Sequence, residues 1–488
     1  MTPPHPSFRL LLSFLLLPPA VSLAGCDSNL PPELPSPTCP LARPAPPNPR
    51  LHAEGPQLRD TLDRIVVLRG VNAGGRSKLP PFAPFDISGS NYDEALGKYL
   101  DRAASWGINT LRVPFTWEAV EPTEGVDDEA FLKRYDALLD AAWERGIFTI
   151  VDFHQDIYAA VLCGDGFPAW TLPGPYPAPH HDCPSWGTKY LTDPDVRAAF
   201  DAFWADGSPI RDAYEKLWDR MVARYRDRPG VIGFEPFNEP APGTADPDLW
   251  EATTLTSFYT ALGARIRKAA PTSLVFVDTS GVNSVIGATS QARPEGEGFV
   301  FAPHYYQPSA LSDLPPDPKI VRSFLQRWAN VGKKWDVPVL LGEFGATNST
   351  PDGAAYLTAH FDALDLLGMS GTQWEYSTST ELWNGEDLSL VRGDGAETPL
   401  AAAIIRPFPR AVAGNDVVFA YESTSRKLSL RYAPSSSEVT EVALPDRAYP
   451  DGYDVAITGG CFDRSTPGAL LVQANVGAAT VEVTVTAR

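Results

Sequence analysis

A (β/α)8 barrel followed by a small C-terminal antiparallel β-sandwich is the architecture this sequence predicts. Three observations carry the prediction. Apolar strand-like runs alternate with amphipathic helical ones through residues 55–405. Two of those runs carry a glutamate at or just beyond their carboxyl end. After residue 405 the helical period disappears, and short alternating segments separated by Gly, Pro and Ser take its place.

In chain order the expected barrel strands are Ile65 to Ala73, Asn109 to Phe115, Phe148 to His154, Val231 to Phe237, Leu274 to Thr279, Phe299 to Tyr305, Val339 to Phe344 and Gly371 to Tyr376. Each is a short, nearly continuous apolar run, as expected of parallel strands covered on both faces. Helical patterns with charged faces fall between them, for example Glu129 to Arg145, Ile210 to Arg228, Trp250 to Ala269, Lys319 to Trp335 and Gly353 to Leu367. Beyond these, Val417 to Tyr421, Lys427 to Tyr432, Val439 to Leu444, Tyr453 to Ile457, Ala469 to Ala474 and Thr480 to Thr486 alternate like sandwich strands, so residues 406–488 form a separate domain. That domain could bind carbohydrate or lipid, or simply cap the barrel.

The amino terminus reads as a targeting segment. Arg9 precedes the apolar run Leu10 to Leu17, which is too short to span a bilayer and stops at Pro18-Pro19. Leu23-Ala24-Gly25-Cys26 resembles a bacterial lipoprotein box, so residues 1–25 are expected to be removed and Cys26 lipidated, with ordinary secretory cleavage as the alternative. The protein is thus expected to be exported, either anchored to the cell envelope or secreted. From Asp27 to Arg50 there are 9 prolines in 24 residues, a composition that favours extended polyproline II. At about 3.1 Å per residue these 24 residues, within a tether assigned to residues 26–54, reach roughly 75 Å.

Forty basic against 60 acidic side chains give a net charge of −20, which repels phosphate backbones and excludes nucleic acid as a partner. With Cys26 set aside, Cys39, Cys163, Cys183 and Cys461 remain. An even number in an exported chain points to disulfides, and Cys163 with Cys183 would staple the insertion after the third strand. His180 and His181 near Cys183 make no metal-ligand spacing, so neither metal nor cofactor is expected. The chain is expected to act as a monomer.

The chemistry lies at strand ends. Phe234-Glu235-Pro236-Phe237-Asn238-Glu239-Pro240 puts an Asn-Glu pair in a sharp turn after the fourth strand, and Pro338-Val339-Leu340-Leu341-Gly342-Glu343 ends the seventh on a second carboxylate. In a parallel barrel such ends converge on one face. Two carboxyls about 5 to 5.5 Å apart serve retaining glycosidases, one as acid/base and one as nucleophile.

These motifs resemble those of family-5 glycoside hydrolases. The resemblance implies that Glu239 is the acid/base, Glu343 the nucleophile and Asn238 the partner of a sugar 2-hydroxyl. It implies further that Arg112 in Thr110-Leu111-Arg112-Val113-Pro114 and Tyr306 hydrogen-bond the nucleophile, that His154 and His304 occupy the third and sixth strand ends, and that Trp374 lies beneath the reactive sugar. Within the family the chain is most similar to endoglycoceramidases, which release an intact glycan from ceramide. This similarity is carried by Arg69-Gly70-Val71-Asn72, Lys78-Leu79-Pro80-Pro81-Phe82, His154-Gln155-Asp156 and Arg406-Pro407-Phe408-Pro409-Arg410-Ala411, and it extends from about residue 55 to the end. It makes Lys78 and Asp156 sugar contacts. Gln373-Trp374-Glu375-Tyr376-Ser377 matches only loosely, which leaves glucose- versus galactose-linked ceramide open.

A glycosphingolipid substrate needs an apolar wall. Ile157 to Leu162, Phe167 to Trp170, and Leu79, Phe82 and Phe85 are the residues expected to form it. Two other readings stay open: a family-5 β-glycosidase or endoglucanase acting on polysaccharide, which needs an open cleft, and a sugar-binding protein without catalysis.

Overall fold

The computed structural model describes residues 38–44, 50–89, 91–312, 314–378 and 383–488. The expected signal peptide over residues 1–25 and the expected lipidation site Cys26 lie outside the described residues.

Eight parallel strands form the central sheet: β1 (Arg69–Asn72), β2 (Thr110–Phe115), β3 (Phe148–Phe153), β4 (Val231–Glu235), β5 (Leu274–Val277), β6 (Phe299–Phe301), β7 (Leu340–Leu341) and β8 (Ser370–Gln373). Their order is β7-β8-β1-β2-β3-β4-β5-β6. Parallel bridges from Phe301 to Val339 and from His304 to Glu343 close the sheet into a barrel between β6 and β7. Strands β2 to β8 begin within a residue of their expected starts; β2 also ends where expected, at Phe115, whereas β3 to β8 stop earlier, because the last residues of those apolar runs leave the ladder.

Close strand approach fixes the first motif. A Cβ at Gly70 would lie 1.9 Å from the Thr110 carbonyl oxygen on β2, so only glycine fits. The helices between strands start on side-chain caps. Asp128 accepts from Ala130 and Phe131 N–H groups, while Asp193, Ser208 and Asp317 cap helices that open on Pro194, Pro209 and Pro318.

The first expected strand splits in two. Ile65–Val66 pairs not with the barrel but with Phe408–Val412, and only Arg69–Asn72 enters the barrel. Strands Leu51–Glu54, Gln57–Asp60 and Ile65–Val66 thereby become one edge of a seven-stranded sheet whose other members come from residues 408–474. A four-stranded antiparallel sheet faces it, in the order Gly414–Glu422, Lys427–Pro434, Val481–Ala487, Tyr453–Thr458. Phe408, Val412, Phe419, Leu430, Val442, Leu470 and Val483 fill the space between the two. The C-terminal domain is a sandwich, but residues before the barrel help to build it. Leu51 and Leu58 also pack on Ile150, Ile232, Phe276 and Leu340, closing the amino-terminal end of the barrel interior.

The described part of the expected tether is fixed to the sandwich. Cys39 and Cys461 form a disulfide with Cα atoms 5.7 Å apart, Thr38 bridges Phe462, and the Leu41 N–H donates to Asp463 Oδ2 at 2.8 Å. Proline content removes helix and core but leaves an extended chain free to lie along a sheet edge.

Arg69 and Arg406, both from the motifs above, meet at one carboxylate. Asp365 receives Arg69 Nη2 and Arg406 Nη2 at 2.7 Å each, all three side chains being buried, and so ties the barrel to the sandwich.

Candidate active site

Arg112 on β2 is the hub of the carboxyl-terminal face. Its guanidinium reaches Glu235 through Nε and Nη2 at 2.7 and 2.9 Å, Asp152 at 3.0 Å and Glu343 at 2.7 Å. It also donates to Asn72 Oδ1 at 2.9 Å and Asn238 Oδ1 at 2.8 Å. Burial by itself would lower its pKa, but Asp152, Glu235 and Glu343 raise it well above the ordinary value. Glu235 is pushed up to about 7 by burial, against the pull of Arg112.

Glu343 is gripped at both oxygens. Oε1 faces Arg112, and Oε2 accepts from the Tyr306 hydroxyl at 3.0 Å. Burial, with Glu343 and Glu239 nearby, lifts the Tyr306 pKa well above its usual range, so the hydroxyl stays a donor.

Glu239 follows β4 with φ +40°, and its Oε1 lies 2.9 Å from His304 Nδ1. Burial, assisted by the Asp156 charge, pushes the Glu239 carboxyl up to about 7, whereas burial takes His304 down to about 4. Near neutral pH the imidazole is therefore uncharged, and the carboxyl can hold a proton. One oxygen of Glu239 and one of Glu343 lie within 4.8 Å of each other. That proximity suits direct attack by one carboxylate.

A second cluster sits beside the pair. Lys78 Nζ lies 2.7 Å from Asp156 and 3.5 Å from Glu386, with the Trp383 and Trp374 rings 4.0 and 4.7 Å away. Burial would neutralise this ammonium, yet Asp156, Glu386 and Asp165 raise its pKa well above normal. His154 stacks on Trp374 at 5.0 Å and reaches Asp152 at 3.0 Å and Asp156 at 3.5 Å. Burial opposes its charge, but the two carboxylates hold the imidazole pKa at about 10. Asp165 is driven well above the carboxylate range by burial and by Asp156.

Lys78, Arg112, His154, Asp156, Asn238, Glu239, His304, Tyr306, Glu343 and Trp374 thus belong to one connected network. Sequence reasoning missed Asp152, Glu235, Asp165, Glu386 and Trp383. Asp152 and Glu235 carried a signal, since each is an acid inside a fully apolar strand run, which a partner must satisfy. Glu386 and Trp383 follow β8 and carried none.

The expected apolar wall is not at the mouth. Ile157, Tyr158, Phe167, Leu162 and Phe85 are all buried, and Tyr158 stacks on Phe167 at 4.1 Å. The insertion is long enough to own a core and packs against Phe200, Phe203 and Tyr214. A disulfide between Cys163 and Cys183, with Cα atoms 6.4 Å apart, closes it. Leu79, Phe82, Val161 and Trp170 keep partial exposure. Among the described residues, large apolar side chains that face solvent in the segments following barrel strands include Val285 and Ile286 after β5 and Leu311 and Leu314 after β6, with 39, 52, 46 and 64% exposed, beside Val126 after β2, Leu191 after β3 and Leu249 after β4.

A parallel barrel with two close carboxyls at its carboxyl face, one held by Arg and Tyr and the other poised to keep its proton, defines a retaining O-glycosyl hydrolase. Residues 76–380 match the model of the Cellulase family, glycosyl hydrolase family 5, and residues 406–486 match the glycoside hydrolase family 5 C-terminal domain. The chain belongs to glycoside hydrolase family 5. It is 27% identical over 453 residues to endoglycoceramidase I of Rhodococcus hoagii (strain 103S), covering 88% of this chain and 86% of that one. The structure of endo-glycoceramidase II from Rhodococcus sp. in complex with ganglioside GM3 superposes with a TM-score of 0.75 at 26% identity, covering 89% of this chain and all of the other. The same enzyme as a lactosyl-enzyme intermediate gives 0.73 at 26% identity, covering 88% of this chain and 99% of that one.

Proposed function

We propose that this enzyme cleaves the β-glycosidic bond between glycan and ceramide in glycosphingolipids, with retention of configuration. The observation that carries the mechanism is the Glu239–Glu343 pair, within 4.8 Å and in unlike environments. Glu343, oriented by Arg112 and Tyr306, attacks the anomeric carbon and forms a glycosyl-enzyme, while Glu239 gives its proton to the ceramide oxygen. Ceramide departs, and Glu239 then takes a proton from the water that hydrolyses the intermediate. Lys78, Asp156 and His154, with Trp374 beneath them, take the sugar hydroxyls, and Asn238 takes the 2-hydroxyl.

Similarity to endoglycoceramidases along nearly the whole chain supports the lipid-linked substrate. So do the exposed apolar residues Val285, Ile286, Leu311 and Leu314, which replace the expected wall as the surface for the acyl chains. Mass spectrometry of digests decides the substrate. Intact ceramide plus free glycan is the expected result, and cleavage of cellulose or mannan with no ceramide from any β-linked glycolipid refutes it.

The enzyme is proposed to be exported and held on the cell envelope by a lipid on Cys26, a reading supported by the Leu23-Ala24-Gly25-Cys26 motif. Labelled palmitate should enter the parent protein and not Cys26→Ala; equal labelling refutes the anchor.

A further inference from the structure

Glu239 occupies a backbone conformation that few residues other than glycine adopt, and its peptide groups are gripped from two sides. Its N–H donates to Asp278 Oδ2 at 3.0 Å, and its carbonyl accepts from Gln155 Nε2 at 3.0 Å. Asp278 directly follows β5 and is fully buried, and its Oδ1 accepts from the Thr279 N–H at 2.7 Å. Gly281 lies against the Glu239 side chain: a Cβ there would sit 2.9 Å from Oε2 and 3.2 Å from Cβ of Glu239.

The segment that carries Asp278 and Gly281 is itself anchored. Glu251, buried in a π-helical turn over Glu251–Leu255, accepts from Thr279 Oγ1, the Ser280 N–H, Thr289 Oγ1 and the Ser290 N–H at distances of 2.5 to 3.0 Å. A widened helical turn of this kind costs helix hydrogen bonding and persists where it serves a site.

We propose that Asp278 and Gly281 are positioning residues for the acid/base: Asp278 fixes the root of the Glu239 side chain by holding its N–H, and Gly281 leaves the space its carboxyl occupies. The inference rests on the assignment of Glu239 as proton donor. Asp278 also lies 3.5 Å from His304 Nε2, on the ring whose Nδ1 faces Glu239 at 2.9 Å, whereas Glu343 takes its hydrogen bonds from Arg112 and Tyr306 on other strands. The two therefore govern proton delivery to the leaving group rather than nucleophilic attack.

The test compares kcat/KM on two β-glycosides of one sugar, the 2,4-dinitrophenyl glycoside, whose leaving group needs no proton, and the octyl glycoside, whose leaving group does. Glu239→Ala sets the reference. Asp278→Leu and Gly281→Ala are expected to lower the octyl value on the order of 100-fold, as for an approximately 1 Å misplacement, and the dinitrophenyl value less than about 10-fold. Asp278→Asn should fall between, since one amide oxygen can serve only one of two N–H donors. Should Asp278→Leu fail to fold, Gly281→Ala, one methyl at the start of a short helix, decides alone. Equal losses on both substrates, or an unchanged octyl value, overturn the inference while leaving the proposed function standing if Glu239→Ala shows the split. If Glu239→Ala shows no split, the acid/base assignment falls and this inference with it.

Discussion

Arg112→Lys keeps the charge of the central guanidinium and removes its geometry. In the parent, Nη1 serves Glu343 and Asn72, Nη2 serves Glu235, Asp152 and Asn238, and Nε serves Glu235 again. A lysine ammonium is a single point on a flexible stem with three donors, so it can sit by Glu343 or by the Glu235–Asp152 pair but not span both. Whichever it leaves is a buried carboxylate deprived of its guanidinium: Glu343 would keep only the Tyr306 hydroxyl, or Asp152 would keep only His154 while Glu235 loses both hydrogen bonds it takes from Arg112. Breaking a buried ion pair by removing one side costs about 3–5 kcal/mol, and that is the expected loss of unfolding free energy in denaturant titration. If the nucleophile loses its charge-assisted hydrogen bond, about 1.5–3 kcal/mol of orientation and stabilisation goes with it, a fall in kcat/KM of roughly 10- to 150-fold. Activity is read on an activated aryl glycoside, so that proton donation does not mask the effect. A variant within about 1 kcal/mol of parental stability and within roughly threefold of parental activity would refute the claim that the fork geometry organises the site.

Glu343→Gln should fold normally and lose on the order of 10⁴-fold or more in turnover, because no glycosyl-enzyme can form; trapping with a slow activated substrate and intact-mass analysis should show no adduct. Because burial pushes Glu239 up to about 7, the proton donor is present below that pH and lost above it, so kcat/KM for glycolipid should fall on the alkaline side near pH 7. A flat profile through pH 8 would contradict the assignment. Asp365→Ala leaves buried Arg69 without its carboxylate and Arg406 with only Asp362 at the barrel–sandwich junction, and should cost about 3–5 kcal/mol in chemical denaturation with little change in KM. Ile286→Asp and Leu311→Asp should raise KM for glycosylceramides and leave short aryl glycosides nearly untouched, whereas Leu162→Asp, buried in the insertion core, should lower stability by several kcal/mol, about the cost of an unpaired buried charge. If Leu162→Asp acts only on KM, the wall lies where the sequence suggested.

The barrel was legible because parallel strands buried on both faces write themselves as apolar runs, and the run of such segments from Arg69 to Gln373 survives any error at single ends. The catalytic pair was legible for the same reason: a glutamate closing an apolar strand is conspicuous, and barrel topology alone brings Glu239 and Glu343 to one face. Arg69-Gly70-Val71-Asn72 could be quoted as a motif, but its cause is spatial: Gly70 makes room for the Thr110 carbonyl, and Arg69 shares Asp365 with Arg406.

The rest required the third dimension. Leu51–Val66 joins the C-terminal sheet and Cys39 bonds to Cys461 because strand pairing and disulfides depend on proximity that chain order does not encode. Hydrophobicity alone could not say whether Tyr158 and Phe167 line a groove or fill a core, since either use buries the same apolar area. What settles it is packing against Phe203 and Tyr214, helix residues that follow the insertion itself in the chain. The repeat, the strand-end chemistry and the pair of carboxylates are local patterns, readable from residue order. Tertiary structure decided which charges compensate which, and with them the pKa of Glu239, because a buried charge is governed by the groups that surround it in space.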